Sequence, residues 1–121
     1  MKTAIVILGH GSRSKGADDP IRQAAARIRN NGSYEMVVHA FLQHASPSLS
    51  DVLEDCIRQQ IEKVVVVPFF MQPGAHVATD IPELVRSAEK KYPNLELVVT
   101  DYAGGHPFMV DIIADLIKKT E

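Results

Sequence analysis

KTAIVILGHGSR, residues 2 to 13, begins as a short run of branched apolar residues and ends at a histidine held between Gly9 and Gly11. A run this continuous shows no alternation of polar and apolar faces, which fits a strand covered by helices on both sides. KVVVVPFF (63–70) repeats the pattern, and YEMVVHAFL (34–42) and LELVVTDY (95–102) are more mixed versions of it. Each run is followed by residues at helical spacing: Ile21, Ala24, Ala25 and Ile28; Leu49, Val52, Leu53, Cys56 and Ile57; Ile81, Leu84, Val85 and Ala88; Ile112, Ile113, Leu116 and Ile117. Asp19-Pro20, Ser46-Pro47 and His106-Pro107 place proline where a first helical residue has no use for an amide proton. Asp80 followed by Glu83 fits a capping box. The connections are too long for hairpins. The order therefore predicts an α/β fold, a single three-layer domain over residues 1–121 with a four-stranded parallel sheet flanked by helices.

Composition narrows the function classes. Of 121 residues, 45% are hydrophobic and 23% charged, as in an ordinary globular protein, and the formal net charge is −2. That balance argues against a nucleic-acid partner, which usually meets a basic surplus. One cysteine, Cys56, cannot form an internal disulfide, and its place on an apolar helix face fits core packing. The apolar stretch from Thr3 to Leu8 is too short for a secretory leader and runs into GHGSRSKG instead of a cleavage site. No stretch approaches the ~20 apolar residues that cross a bilayer. The expectation is a cytoplasmic protein with no membrane partner.

Open α/β sheets bind ligands beyond the carboxyl ends of their strands. Four of the five histidines fall just past a predicted strand: His10, His44, His76 and His106. His39 lies within one, where a sheet-face role fits better. His106 can also be read as a helix cap and His44 as a solvated loop residue. His10, between two glycines, and His76, after Pro73-Gly74-Ala75, stand on turns that leave an imidazole open. Neutral imidazole accepts protons near neutral pH and binds divalent transition metals. Competing motifs fail on inspection. Ser14 breaks a G-x-G-x-x-G pattern, Ala17-Asp18 replaces the Lys-Ser/Thr of a phosphate loop, and neither a G-x-S-x-G elbow nor a cysteine pair for zinc is present.

ILGHGSR, AFLQHASPSL, VVVVPFFMQPGAHVATDIPEL and GGHP resemble, in order and over nearly the whole chain, the motifs of the short sirohydrochlorin chelatases. These class II tetrapyrrole chelatases insert cobalt, iron or nickel into sirohydrochlorin-type macrocycles. The resemblance implies a chelatase-like α/β fold with flavodoxin/Rossmann-like winding. It implies a lyase-type chelatase, with Co²⁺ the foremost metal and Fe²⁺ or Ni²⁺ as others, and no cofactor beyond that metal substrate. His10 is then the proton acceptor and a metal ligand, His76 the partner ligand, and Met71, Gln72, Pro73, Gly74 and Ala75 the wall for the macrocycle. Ser12, Arg13, Gln43, His44, Ser46 and His106 are the remaining substrate-binding candidates. Arg13 and Lys15, with the amide protons of helix N-termini, suit the many carboxylates of such a macrocycle. The chain departs from the family at Gln43 and Ser46, where acidic residues are common, and His44 is expected to compensate in part.

Longer chelatases of this kind hold two α/β lobes, and this chain has residues for one. The expectation is a homodimer enclosing the macrocycle, with Phe69, Phe70, Met71, Phe108 and Met109 as apolar candidates beside the site. Phe69 and Phe70 alternate across a strand and cannot share one face. Two other readings stay open: a non-catalytic metal or tetrapyrrole binding protein with the same histidines, and, further off, a histidine phosphatase-like enzyme, for which only Arg13 stands close enough in sequence to meet phosphate.

Overall fold

β1 (Thr3–Gly9) lies inside a four-stranded parallel sheet of order β2-β1-β3-β4, with β2 spanning Met36–Phe41, β3 Lys63–Pro68 and β4 Glu96–Val99. Residues 1–121 of this computed structural model are described except Pro73 and the side chains of Ala75, His76 and Val77. Six of the seven β1 residues are buried, because both neighbours and both faces are covered. In the ladder Ile5 stands level with Val37 and Val65, and Val65 with Val98. Residues level across a parallel ladder point to the same face, so these four share one side of the sheet.

Three helices close most of the two faces. α1 (Asp19–Asn30) packs Ile21 and Ala25 against Ile5, Ile7, Val37 and Phe41. α2 (Leu49–Arg58) and α3 (Ala75–Lys91) cover the opposite face, where Leu49, Val52, Leu53 and Ile81 meet Val6, Leu8, Val64 and Val66. Cys56 is wholly buried in this second core, and burial, with Asp55 adding to it, raises its thiol pKa to about 11. None of the described helices is long and apolar enough to cross a membrane.

Four expectations need correction. α2 begins at Leu49 rather than at Pro47, because the Ser48 hydroxyl accepts the Asp51 N–H and caps the helix there, while Ser46-Pro47 is a cis peptide in the loop before it. Asp80 and Glu83 do not open a helix. α3 starts at Ala75, after the extended Gly74, and both acids and Pro82 lie inside it. The last helix, α4 (Met109–Lys118), begins two residues past Pro107, after a 3₁₀ turn at Ala103–Gly105. Nor does it bury its apolar stripe: no α4 residue is buried, and Ile113, Leu116 and Ile117 are 53%, 58% and 57% exposed. One outer layer is therefore α1 alone, and β3 and β4 are half-open on that side.

Candidate functional site

The chain crosses from β1 to β2 in one direction and returns past β1 to β3, so the loops after β1 and β3 diverge at the sheet's switch point. His10 is the first residue past β1. Backbone bonds hold it in place: Leu42 N–H donates to the Gly9 carbonyl and Gln43 N–H to the His10 carbonyl, each at 3.0 Å. Gly11 makes this approach possible. Its φ is +98°, and a Cβ there would stand 1.5 Å from the Gln43 carbonyl oxygen. No residue with a side chain fits.

The result is a fixed pairing of His10 with Gln43. The Gln43 side-chain nitrogen lies 3.3 Å from Nε2 and 3.4 Å from Nδ1 of the imidazole, almost equidistant from both. Phe70 meets the ring edge-on, with centroids 6.5 Å apart and an interplanar angle of 83°. Phe70 turns inward onto the core, whereas Phe69 is 37% exposed, as their alternation requires. His10 itself is exposed and stands between two cavities. One, of about 280 Å³, is lined by His10, Leu42 and Gln43 with Asp80, Glu83 and Leu84 of α3. The other, of about 340 Å³, runs from His10 past Gly11 and Ser12 to Asp18 and Phe69.

The remaining candidates divide clearly. Ser12 lines the second cavity, and its hydroxyl accepts the Ser14 N–H at 3.0 Å. Arg13 and Lys15 are exposed beside it, free to meet an anionic ligand at this edge. Met71, Gln72 and Gly74 are exposed past β3; Pro73 and the side chains of Ala75 and His76 lie outside the described residues, and with them the proposed partner ligand. His44, at φ +62°, and Ser46 are exposed on the loop after β2 and line neither His10 cavity. His106 belongs elsewhere. It lines a cavity of about 470 Å³ with Thr100, Tyr102 and Pro107; its Nδ1 accepts the Phe108 N–H at 3.1 Å in the turn before α4, but it does not cap that helix, whose N-cap is Phe108 with no side-chain cap bond. His39 stays on the sheet face, where Arg22 Nη1 reaches its Nε2 at 3.0 Å. Burial, then Arg22 and Arg29, hold its pKa below the ordinary value, against the pull of Asp18.

Asp80 and Glu83 line the cavity beside His10, a placement that sequence reasoning missed. Read as a capping box, they had a local explanation. With the helix starting at Ala75, positions 80 and 83 instead fall one turn apart on the stripe facing His10. Two acidic residues thus share a cavity lining with His10. Among the described residues no group of three or more histidine, cysteine or acidic side chains is placed to hold a metal ion; the arrangement offers one open imidazole, a cavity with two acidic residues, and the exposed cations Arg13 and Lys15 at the same edge.

Comparison with known proteins identifies the family. The chain is 32% identical over 114 residues to the chloroplastic sirohydrochlorin ferrochelatase of Arabidopsis thaliana, covering 94% of this chain and 51% of that one. It is 30% identical over 123 residues to the sirohydrochlorin cobaltochelatase of Methanosarcina barkeri, covering 98% and 93%. Among solved structures, the sirohydrochlorin chelatase SirB from Bacillus subtilis subspecies spizizenii in complex with cobalt superposes with a TM-score of 0.86 at 28% identity, over 98% of this chain and 51% of that one. The chain thus spans about half the length of the plant and Bacillus relatives and nearly all of the archaeal one. The CbiX family model matches residues 4 to 120, so the chain belongs to the CbiX family.

Proposed function

We propose that this protein inserts a divalent metal ion, Co²⁺ foremost and Fe²⁺ or Ni²⁺ as alternatives, into a sirohydrochlorin-type tetrapyrrole. The observation that carries the reading is His10, held by its backbone at the switch point between two cavities, one of them lined by Asp80 and Glu83. The names of the relatives support the substrate class.

The reaction exchanges one metal dication for two pyrrole protons. His10 accepts the two pyrrole protons one after the other and passes each to solvent from its exposed position as the ring nitrogens turn to the metal, a general-base role worth ~10²–10⁴-fold. His10 and His76 hold the ion with open positions toward the ring, and Asp80 and Glu83 raise the local concentration of cations. Gln43, in place of an acid, keeps an amide against His10 without adding charge. Arg13 and Lys15 meet the macrocycle's carboxylates, and Met71, Gln72 and Gly74 form part of its wall. The working unit is a cytoplasmic homodimer in which exposed Phe69, Met71 and Phe108 lie toward the second copy.

The test is anaerobic incubation with sirohydrochlorin and Co²⁺, Fe²⁺ or Ni²⁺, following the macrocycle's absorption. Insertion should be fastest with Co²⁺ and fall at least a hundredfold in His10→Ala and His76→Ala, with unfolding unchanged. No insertion of any metal overturns the reading. Wild-type rates in the variants would remove the histidines from it.

A further inference from the structure

GGHP, residues 104 to 107, stands past the end of β4 and far in sequence from the described residues that line the two His10 cavities. Its backbone closes on itself. Gly105 N–H donates to the Tyr102 carbonyl and His106 N–H to the Ala103 carbonyl, each at 3.1 Å, and Met109 N–H donates to the His106 carbonyl at 3.0 Å. The His106 ring adds its bond from the Phe108 N–H. The turn therefore keeps its own shape, and Gly104 carries its contact with the rest of the chain. Gly104 N–H donates to the Phe70 carbonyl at 2.8 Å. A Cβ on Gly104 would fall onto the Met71 carbonyl oxygen, with the Met71 carbonyl carbon and Cα 2.5 Å away. These are backbone atoms, which cannot rotate aside. Gly104 has no positive φ, so glycine is needed here for space and not for conformation.

The segment that receives this turn leads into the site. Phe69 N–H donates to the Leu8 carbonyl of β1 at 2.8 Å, so the chain just past β3 is held from β1 on one side and by Gly104 on the other. Phe70, whose carbonyl takes the Gly104 bond, meets the His10 ring edge-on, and exposed Met71 and Gln72 follow it toward α3. We propose that Gly104 is a positioning residue for metal insertion: by letting the Ala103–Gly105 turn close on the Phe70–Met71 peptide, it fixes the ring beside His10 and the start of the macrocycle's wall. The inference rests on the proposed chelatase site and adds to it a residue from beyond β4. A side chain at position 104 acts as a wedge. The turn, closed by its own bonds, moves only as a unit, so the Gly104–Phe70 bond breaks and the Phe70–Met71 peptide loses its outer support. A misplacement of about 1 Å that starts far from the reacting atoms can cost ~10²-fold in rate.

Amide exchange in the wild-type protein reads the bond directly. The Gly104 N–H should exchange as slowly as the Thr100 N–H, which donates to Val66 of β3 at 3.0 Å, and exchange at the rate of an open loop amide overturns the proposal. In Gly104→Ala the NMR signals of the His10 ring protons should shift, because the Phe70 ring beside them moves. Cobalt insertion by that variant should lose about ten- to a hundredfold in kcat, while the KM for the macrocycle, met by Arg13 and Lys15, changes less than about threefold. Gly105→Ala is the control. Its Cβ would meet the Tyr102 ring, a side chain that can turn, so the His10 signals should stay in place and kcat within about twofold. Unmoved His10 signals in Gly104→Ala overturn the proposal, as does a wild-type kcat in that variant or an equal loss in both glycine variants. If Gly104→Ala does not fold, amide exchange decides alone. Exchange and ring-proton signals are read without metal or macrocycle. A wild-type protein that inserts no metal, with His10 signals that still respond to Gly104→Ala, sinks the chelatase reading and leaves the positioning of the His10 surroundings standing.

Discussion

The two halves of the sheet obey different rules. β2 and β1, with α1 and α2 against them, form a closed structure in which Val6, Leu8 and Ala40 are wholly buried. β3 and β4 are closed only toward α2 and α3, and the helix that follows them buries nothing of its own. The patterns are alike in sequence, branched strands followed by amphipathic helices, yet only one half completes itself within one chain. Periodicity therefore specifies that an apolar face will be covered. It does not specify what supplies the cover.

The sharpest way to break this contrast is to truncate one leucine in each half. Leu8→Ala, in β1, should cost about 2–5 kcal/mol, as buried leucines do. Leu116→Ala, in α4, should stay within about 0.5 kcal/mol when measured in denaturant at concentrations too low for association, as exposed positions do. Equal losses would mean that α4 is packed within its own chain.

A second pair separates the loops. Gly11→Ala forces a side chain into φ +98° and onto the Gln43 carbonyl, for about 1–3 kcal/mol and a large loss of insertion rate. At Gly74 a Cβ meets nothing within 4 Å among the described residues, so Gly74→Ala should be close to neutral in denaturant unfolding. Smaller still is Arg13→Ala. A screened, exposed contact is worth about 0.2–1 kcal/mol, so the KM for tetrapyrrole should rise at most about fivefold, and less at high salt. An unchanged KM across ionic strength would make Arg13 a plain surface charge.

The smallest effect concerns His39 in the closed half. Its folded pKa lies below the unfolded value of 6.5, so folding favours the neutral ring that accepts from Arg22. Above pH 6.5 neither state holds the proton and the contribution is constant. As pH falls through that value the unfolded chain is protonated first, and stability drops until the folded ring titrates too. His39→Gln should flatten this part of the stability curve.

Strands and winding were legible because β-branched runs have few alternative structures. The imidazole at the end of β1 was legible too, since two glycines beside a histidine leave it uncovered. Helix starts were less so. Proline at Pro47 and Pro107 marks where a helix can begin, but α2 starts where the Ser48 hydroxyl caps it and α4 starts only at Met109. Asp80 and Glu83 satisfied a capping pattern so well that their second meaning, a shared stripe facing His10, was hidden until the start of α3 was known. His106 followed a strand as His10 did, yet the separate approach of the chain through Ala103–Gly105 places it in another cavity.

Cys56 has a consequence for a protein that would handle cobalt, iron or nickel. Soft thiolates compete strongly for such ions, and an accessible one would trap metal away from the macrocycle or pass electrons to oxidants. With burial raising the thiol pKa to about 11, little of it is ionised at pH 7, and the residue has no exposed surface. Under the proposed function the one thiol would be withheld from metal ions, which would meet the imidazole and acidic groups lining the cavity at the sheet edge instead.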